Sequence, residues 1–288
     1  MKVKKWLILS TVVAISVIVQ ACLTFRMSSG ELKKYFNKKK VNYIRTLSAQ
    51  GKRNLHYVQT GDTSRQTIVF VHGSPGSYSA FIDFLSDSTL LASYCLVSVD
   101  RPGFGYSNFG LAEPSINNQA DFFVPLLERL SNKKVILVGH SLGGPLVANL
   151  AMRYPHLVRG IVLVAASVDP ELEPNERWFR VPLRTPFMRW ILPPSMRASN
   201  DELCDLKFEL QNMVPLWQNI TCPVAIVHGE KDSLVPFGNV KFIEENLPKH
   251  APLSLFTKKD MNHFVPWSNP ELIREAIDSL ASSFTQPN

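Results

Sequence analysis

A serine between two glycines is the feature of this sequence with the clearest chemical potential. The run GHSLG at 139–143 follows a short apolar stretch and opens an apolar helical pattern that ends near Arg153. In a sharp turn between a strand and a helix, a serine hydroxyl stands clear of the sheet, and flanking glycines avoid collisions with the neighbouring backbone. The start of a helix also favours negative charge beside the serine. The spacing therefore predicts Ser141 as a nucleophile.

A nucleophilic serine needs a general base, and the base needs a carboxylate that fixes its orientation. Asp232 and His263 each follow an apolar stretch that predicts a strand, in the chain order serine, acid, histidine. Glu230, closer to the same strand, and Asp169, after an earlier strand, remain alternatives for the acid. We predict a catalytic triad of Ser141, Asp232 and His263.

Predicted strands and helices alternate along most of the chain and must position these residues. The β-branched run TIVFV at 67–71 is typical of a strand buried on both faces. A half-buried hairpin is predicted over Val41–Leu47 and Asn54–Thr60, and a helix over Phe81–Leu91. The alternation predicts an α/β fold, with a mostly parallel sheet and helices on both faces. The carboxyl ends of its strands would bring the three residues to one edge.

About 50 residues, 169–218, interrupt this alternation and are rich in Pro, Arg and Trp. We predict that they form a helical lid inserted between two parts of the core, 41–168 and 219–288. Ligands of such sheets bind at the carboxyl ends of the strands, where an insertion can shape a pocket and exclude water. The alternative is a helical excursion that only packs its aromatic side chains on the body.

The N-terminus has the pattern of a targeting segment. A basic start, Met1–Lys5, precedes an apolar run at 6–19 that is too short to span a membrane comfortably. The run VQAC at 19–22 resembles the lipobox of bacterial lipoproteins, which implies Cys22 as a candidate lipidation site. We expect residues 1–21 to be a signal peptide or membrane anchor. A lipoprotein, a signal anchor and a cleaved signal peptide all place the body in the cell envelope, outside the cytoplasm, in a bacterium.

The charge is uneven along the 288 residues. The chain carries a formal net charge of +7, of which +3 lies in residues 1–21 and +8 in residues 22–53, which leaves −4 for the remainder. An acidic body argues against nucleic-acid binding. The basic segment favours an anionic membrane surface, or is a solvated spacer. We predict a basic tether over 22–40 that ends in a short helix. No Cys/His spacing indicates a metal site.

Five motifs within about residues 41–285 resemble the lid-bearing α/β-hydrolase superfamily. The branch is the one that also contains haloalkane dehalogenases, epoxide hydrolases and carbon–carbon bond hydrolases. The motifs are His72–Gly76, Asp100–Ser107, Gly139–Gly144, Gly229–Asp232 and Asn262–Phe264. Serine rather than aspartate at position 141 separates this chain from the dehalogenases and epoxide hydrolases, which attack with a carboxylate.

The resemblance implies a serine hydrolase that cleaves a carboxylic ester, or a related acyl bond, of a small or lipid-like substrate through an acyl-enzyme. The backbone N–H groups of Ser74 and Leu142 are expected to hold the oxyanion, and His72 to brace its loop. This chemistry needs no metal or organic cofactor. An amidase, a peptidase or a carbon–carbon bond hydrolase remain alternatives, as does a non-catalytic ligand-binding protein on the same fold.

Overall fold

A computed structural model describes residues 23–130 and 134–284 of the protein. The predicted signal segment, 1–21, and the candidate lipidation site, Cys22, lie outside the described residues. Among the residues that the structure describes, no helix is long and apolar enough to cross a membrane.

One eight-stranded sheet forms the centre of the fold, with the strand order β1-β2-β4-β3-β5-β6-β7-β8. The first two strands form an antiparallel hairpin, and β2 pairs antiparallel with β4. All remaining pairings, from β4 through β3 to β8, are parallel. The predicted α/β class with a mostly parallel sheet is therefore confirmed. The strands are β1 (Tyr43–Gln50), β2 (Arg53–Thr60), β3 (Gln66–Val71), β4 (Tyr94–Val99), β5 (Val135–His140), β6 (Val158–Val164), β7 (Val224–Gly229) and β8 (Leu253–Lys258).

Helices cover both faces of the sheet, so the central strands are buried on both sides and carry near-continuous apolar runs. One hydrophobic core lies between the sheet and helices α3, α4 and α8, and a second lies between the opposite face and helices α1 and α10. The helices are α1 (Ser29–Lys39), α2 (Ser88–Leu91), α3 (Ile116–Leu130), α4 (Gly143–Arg153), α5 (Arg177–Leu183), α6 (Pro186–Ile191), α7 (Pro194–Met213), α8 (Gly238–Asn246), α9 (Val265–Ser268) and α10 (Pro270–Ser283).

The helix predicted over Phe81–Leu91 is wrong. The segment forms 3₁₀ turns at Tyr78–Phe81 and Phe84–Ser86, followed by the single-turn helix α2. The Asp87 carboxylate accepts hydrogen bonds from the N–H groups of Thr89 and Leu90, which starts a new helix instead of continuing the old one. The apolar spacing that suggested a helix reflects side chains that are buried in the second core or pack against it.

Residues 29–39 are part of the folded body. Ser28 and Glu31 form a reciprocal capping box that starts α1. Leu32 and Phe36, one turn apart, are buried in the second core, while the lysines face outward. The sequence predicted a helix at the end of a basic tether, but it did not predict that this helix packs on the sheet. The reason is that only two apolar positions in 11 residues carry the contact.

The insertion between β6 and β7 contains the helices α5, α6 and α7 and a 3₁₀ turn at Val214–Asn219. Helix α7 is the longest, at 20 residues, and its buried positions include Glu202, Cys204 and Leu206. Leu206, Leu210 and Met213 join the first hydrophobic core, so the second half of this helix is anchored to the body.

Candidate active site

Ser141 lies in a strained turn between β5 and α4. Its φ is +53°, in the left-handed region that a residue with a side chain rarely adopts. The Ser141 N–H donates to the carbonyl of Val164, and the Ser141 carbonyl accepts from Gly144, at 2.9 Å each. These bonds hold the turn in place, and strain of this kind concentrates at functional sites.

Close backbone approach requires both glycines of the turn. A Cβ added at Gly139 would stand 2.3 Å from the Gly143 carbonyl oxygen, and one added at Gly143 would stand 2.3 Å from the Val71 carbonyl oxygen. The loop after β3 passes equally close, because a Cβ on Gly73 would lie 2.8 Å from the Ser141 Cβ. The GHSLG spacing is therefore a packing requirement that brings this loop against the serine.

Asp232 and His263 form a buried hydrogen-bonded pair, with 2.8 Å between Asp232 Oδ2 and His263 Nδ1. The other carboxylate oxygen accepts the backbone N–H groups of Leu234, at 2.9 Å, and Val235, at 2.8 Å. Burial by itself would raise the pKa of Asp232, but the hydrogen bonds from His263 and Val235 outweigh it and hold the pKa below its usual value. Asp232 is therefore an anion that fixes the ring of His263.

The two alternative acids are placed differently. Glu230 is exposed to solvent. One oxygen of Asp169 accepts the backbone N–H of Glu171 at 2.8 Å, as in a local turn. Within the described chain, neither carboxylate contacts His263. Of the three candidates weighed from the sequence, Asp232 is the one that the structure brings to the histidine.

Three other histidines surround the site as buried braces. His140 Nε2 donates to the His263 carbonyl at 3.0 Å, and His228 Nε2 donates to the Val235 carbonyl at 3.0 Å. Burial lowers the pKa of His140 to about 3 and also lowers that of His228. His72 donates from Nδ1 to the Gly73 carbonyl and accepts the Arg101 N–H at Nε2. These neutral rings hold the loops that carry the serine, the acid and the base.

The two predicted oxyanion donors lie on either side of Ser141. Leu142 is the next residue, and Ser74 follows Gly73, whose Cα lies close to the serine. Over the part of the chain that the structure describes, neither the Ser74 N–H nor the Leu142 N–H has a hydrogen-bond partner. Ser74 and Leu142 also line a small cavity together with Ser141. Both backbone donors are thus free beside the serine.

Two cavities meet at Ser141 and His263. The larger has a volume of about 550 Å³, and its apolar lining includes Phe25, Met196, Leu234, Phe264 and Trp267. The smaller has a volume of about 220 Å³ and is lined on one side by polar groups of the insertion and of the segment before it. These groups are Ser167, Glu173, Glu176 and Arg180. Burial raises the pKa of Glu173, whose carboxyl is hydrogen-bonded to the Ser167 hydroxyl.

A buried ion pair joins the insertion to the body. Arg101 donates both terminal nitrogens to Glu202 of α7, at 3.0 and 2.9 Å, and both side chains are almost fully buried. Arg101 also donates to the Gln119 side chain at 3.0 Å and to the Gly73 carbonyl at 3.3 Å. The pair therefore links the longest helix of the insertion to the loop that carries Ser74.

Sequence reasoning missed Phe25, Glu173 and Glu202 as residues of the site or its support. Phe25 lies in a segment predicted to be a tether, and its position depends on contacts with residues more than 50 positions away. The buried charge of Glu202 becomes visible only beside Arg101, 101 residues earlier. Arg101 lies in the family-like motif Asp100–Ser107, but nothing in the sequence spacing identifies Glu202 as its partner.

Comparisons with known proteins identify the fold. A family model described as the alpha/beta hydrolase fold matches residues 66–189. Solved structures with the fold include a membrane phospholipase A, with a TM-score of 0.67 and 17% identity over the whole of both chains. Another is a 2-hydroxy-6-oxo-6-phenylhexa-2,4-dienoate hydrolase from a Rhodococcus species, with a TM-score of 0.65 and 17% identity over 84% of this chain and 99% of that one. The chain is a hydrolase with the α/β-hydrolase fold.

Curated relatives of this hydrolase include proteins named as a hydrolase and as an esterase. It is 25% identical over 276 residues to YugF, an uncharacterised hydrolase of Bacillus subtilis (strain 168). The alignment covers 82% of this chain and 97% of the relative. The chain is 32% identical over 117 residues to a pimeloyl-[acyl-carrier protein] methyl ester esterase of Shewanella woodyi, over 41% of this chain and 42% of that enzyme. The hydrolase thus resembles enzymes that differ in substrate.

Proposed function

We propose that the protein is a serine esterase that cleaves carboxylic esters with an apolar acyl or alcohol group, through an acyl-enzyme on Ser141. One observation carries the proposal: Ser141 lies in a strained turn on the same cavity as His263, whose ring is held by the ionised Asp232. A serine, a base and an orienting carboxylate in this chain order are the parts of a nucleophilic triad.

In this mechanism, His263 takes the proton of the Ser141 hydroxyl as the oxygen attacks the carbonyl carbon. The negative charge that develops on the carbonyl oxygen is held by the free N–H groups of Ser74 and Leu142. The alcohol leaves with the proton from His263. A water molecule, deprotonated by the same histidine, then attacks the acyl-enzyme and releases the acid. Asp232 stays ionised throughout and stabilises the imidazolium form of His263.

The substrate class follows from the two cavities. The larger, with its apolar lining of about 550 Å³, suits a hydrocarbon chain or ring. The smaller offers the Glu173 carboxyl, whose pKa burial raises, the Glu176 carboxylate and the Arg180 guanidinium, which suit a short polar group. A lipid-like ester with one apolar and one small polar portion would fill both. The insertion, 169–218, supplies the polar side of this site and acts as its lid.

The setting of the reaction is also a proposal. The apolar run at 6–19 and the lipobox-like VQAC suggest attachment to a membrane in the cell envelope, through an anchor or through lipidated Cys22. The basic residues of α1 would favour an anionic lipid surface. Fractionation of cells that produce the wild-type protein and Cys22→Ser tests this setting. Loss of the membrane-bound form in the variant is expected, and an unchanged membrane fraction would favour a signal anchor.

Ser141→Ala tests the central step. We expect this variant to lose hydrolysis of p-nitrophenyl butyrate and labelling by a fluorophosphonate probe, because no other nucleophile occupies the turn. Its circular dichroism spectrum and melting temperature should match those of the wild type, since alanine fits the same space. Undiminished labelling in Ser141→Ala would remove this serine from the mechanism. Wild-type protein that turns over amides or vinylogous diketones, but no ester, would move the proposal to an amidase or a carbon–carbon bond hydrolase.

A further inference from the structure

The segment just before helix α1 lies against the larger cavity. We define residues 23–28 as the N-terminal strap. Phe25, in the middle of the strap, lines the same cavity as Ser141 and His263 and keeps 43% of its surface exposed. The sequence predicted this part of the chain to be a basic tether, so its position beside Ser141 was unexpected.

Buried hydroxyl groups hold the strap from both sides of the cavity. Ser77, on the body, donates to the Phe25 carbonyl at 2.7 Å. Ser195, at the start of α7 in the insertion, donates to the Leu23 carbonyl at 2.5 Å. Both serines are 1% exposed. Because a buried hydroxyl without a partner is costly, these two contacts fix the strap to the body and to the insertion together.

The far end of the strap is held by aromatic residues. The Arg26 guanidinium lies 4.3 Å from the ring centroid of Tyr106 and 4.7 Å from that of Phe109. The hydroxyls of Tyr78 and Tyr106 both donate to the Met27 carbonyl at 3.1 Å. Helix α1 then buries Leu32 and Phe36 in the second core. The strap therefore packs on the folded protein through contacts of Leu23, Phe25, Arg26 and Met27.

Phe25 also has an unfavourable backbone conformation. Its φ is +52°, in the region that glycine or asparagine adopts more readily. If the chain only needed a turn here, a small residue would serve with less strain. An aromatic side chain that persists in this conformation, in a cavity with the nucleophile, indicates that the ring has a use.

We propose that Phe25 is a specificity-determining residue that contacts the distal part of the apolar group of the substrate. This inference rests on the esterase function proposed above. A short acyl chain on Ser141 would stay within the cavity, whereas a long chain would extend to the rim formed by Phe25, Phe264 and Trp267. The strap thus gives the enzyme a preference for long chains, and its ties to Ser77 and Ser195 keep the ring in place.

The test compares p-nitrophenyl butyrate with p-nitrophenyl decanoate for the full-length protein. Phe25→Ala should lower kcat/KM for the decanoate by about tenfold, the order expected for lost contact in an apolar pocket, and leave the butyrate within about twofold. Phe25→Leu should retain most of the decanoate activity, because it keeps an apolar side chain. Leu47→Ala, which removes an exposed leucine on β1, is the matched control and should change neither rate.

Two further variants separate the effect of the Phe25 ring from effects of the strap backbone. Phe25→Gly should lose decanoate activity like the alanine variant, although glycine accepts the positive φ without strain. Ser195→Ala should cause a smaller loss in the same direction, because it frees one end of the strap. Equal losses for both esters, or no loss in any Phe25 variant, would overturn the proposal.

A binding measurement distinguishes a failure of the esterase proposal from a failure of the proposal for Phe25. If the wild-type protein hydrolyses neither ester, the esterase proposal fails, and decanoate binding is then measured by calorimetry on wild-type and Phe25→Ala protein. About tenfold weaker binding by the variant supports the role of Phe25 independently of turnover. Equal dissociation constants in the two proteins would overturn it.

Discussion

At the scale of single residues, the proposed nucleophile and its two proposed partners follow from a rule that sequence can express. Strand ends in a parallel sheet meet at one edge, so a serine, an acid and a histidine that each follow a strand can be predicted to converge. The same rule favoured Asp232 as the acid but left Glu230 and Asp169 as alternatives. The choice depends on which side chain the turn after β7 directs inward, and the N–H groups of Leu234 and Val235 hold Asp232 in that direction.

Asp232→Asn is predicted to lower kcat for ester hydrolysis by about 10⁴-fold, the scale seen when a triad acid is neutralised. An amide cannot stabilise the imidazolium form of His263, and it favours the wrong ring tautomer. Glu230→Gln and Asp169→Asn are the matched controls, and both should retain near-normal kcat. Full activity in Asp232→Asn, together with a loss in either control, would transfer the role of the acid. The measurement is steady-state hydrolysis of p-nitrophenyl butyrate by the three variants at pH 7.5.

At the scale of elements, strands and helices could both be predicted to within a few residues, except at the segment 81–91. The strands predicted at 54–60 and 67–71 end at the same residues as β2 and β3, which each begin one residue earlier than predicted. The central strands of this sheet are short, rich in β-branched residues and buried on both faces, so their composition alone distinguishes them. The segment 81–91 was misassigned because buried apolar residues occur at helical spacing in turns as well. How α1 and α7 pack could not be predicted, since it depends on contacts distant in sequence.

The pairing of α7 with the body gives a prediction about stability. Glu202→Ala should lower the free energy of unfolding by about 3–5 kcal/mol, because it leaves the Arg101 charge buried without its partner. Asp205→Ala, on the same helix, removes partly exposed pairs with Arg177 and Arg184 and should cost no more than about 1 kcal/mol. Urea unfolding monitored by circular dichroism measures both. Similar losses in the two variants would contradict a special role for the buried pair.

At the scale of the whole molecule, the active site is enclosed by neutral, buried histidines, and this makes stability depend on pH. The folded protein holds His140 with a pKa of about 3, well below the ordinary value of 6.5, because the ring is buried. Between these values, the unfolded chain binds a proton that the folded protein does not. The free energy of unfolding therefore falls as pH decreases through this window. His72 and His228, whose pKa values burial also lowers, act in the same direction.

We expect the wild type to lose stability between pH 6.5 and pH 5, with His140 alone contributing about 2 kcal/mol. Glu173 and Glu202, whose pKa values burial raises, act in the opposite direction, so a variant is needed to isolate the histidine. His140→Gln should show a smaller loss than the wild type over this range. His156→Gln, at an exposed position, should show the wild-type loss. Urea unfolding at pH 7.5, 6 and 5 tests this, and parallel curves for His140→Gln and wild type would contradict it.

The position of the strap has a practical consequence for handling the enzyme. Leu23 lies beside the larger cavity. Phe284 lies near the amino ends of the strands, at the opposite edge of the sheet, and its ring packs under the Arg159 guanidinium. A fluorescent protein or a solid support joined next to residue 23 would crowd the entrance. The same attachment after residue 284 would leave it open, so immobilised enzyme for screening is best coupled through its C-terminal side.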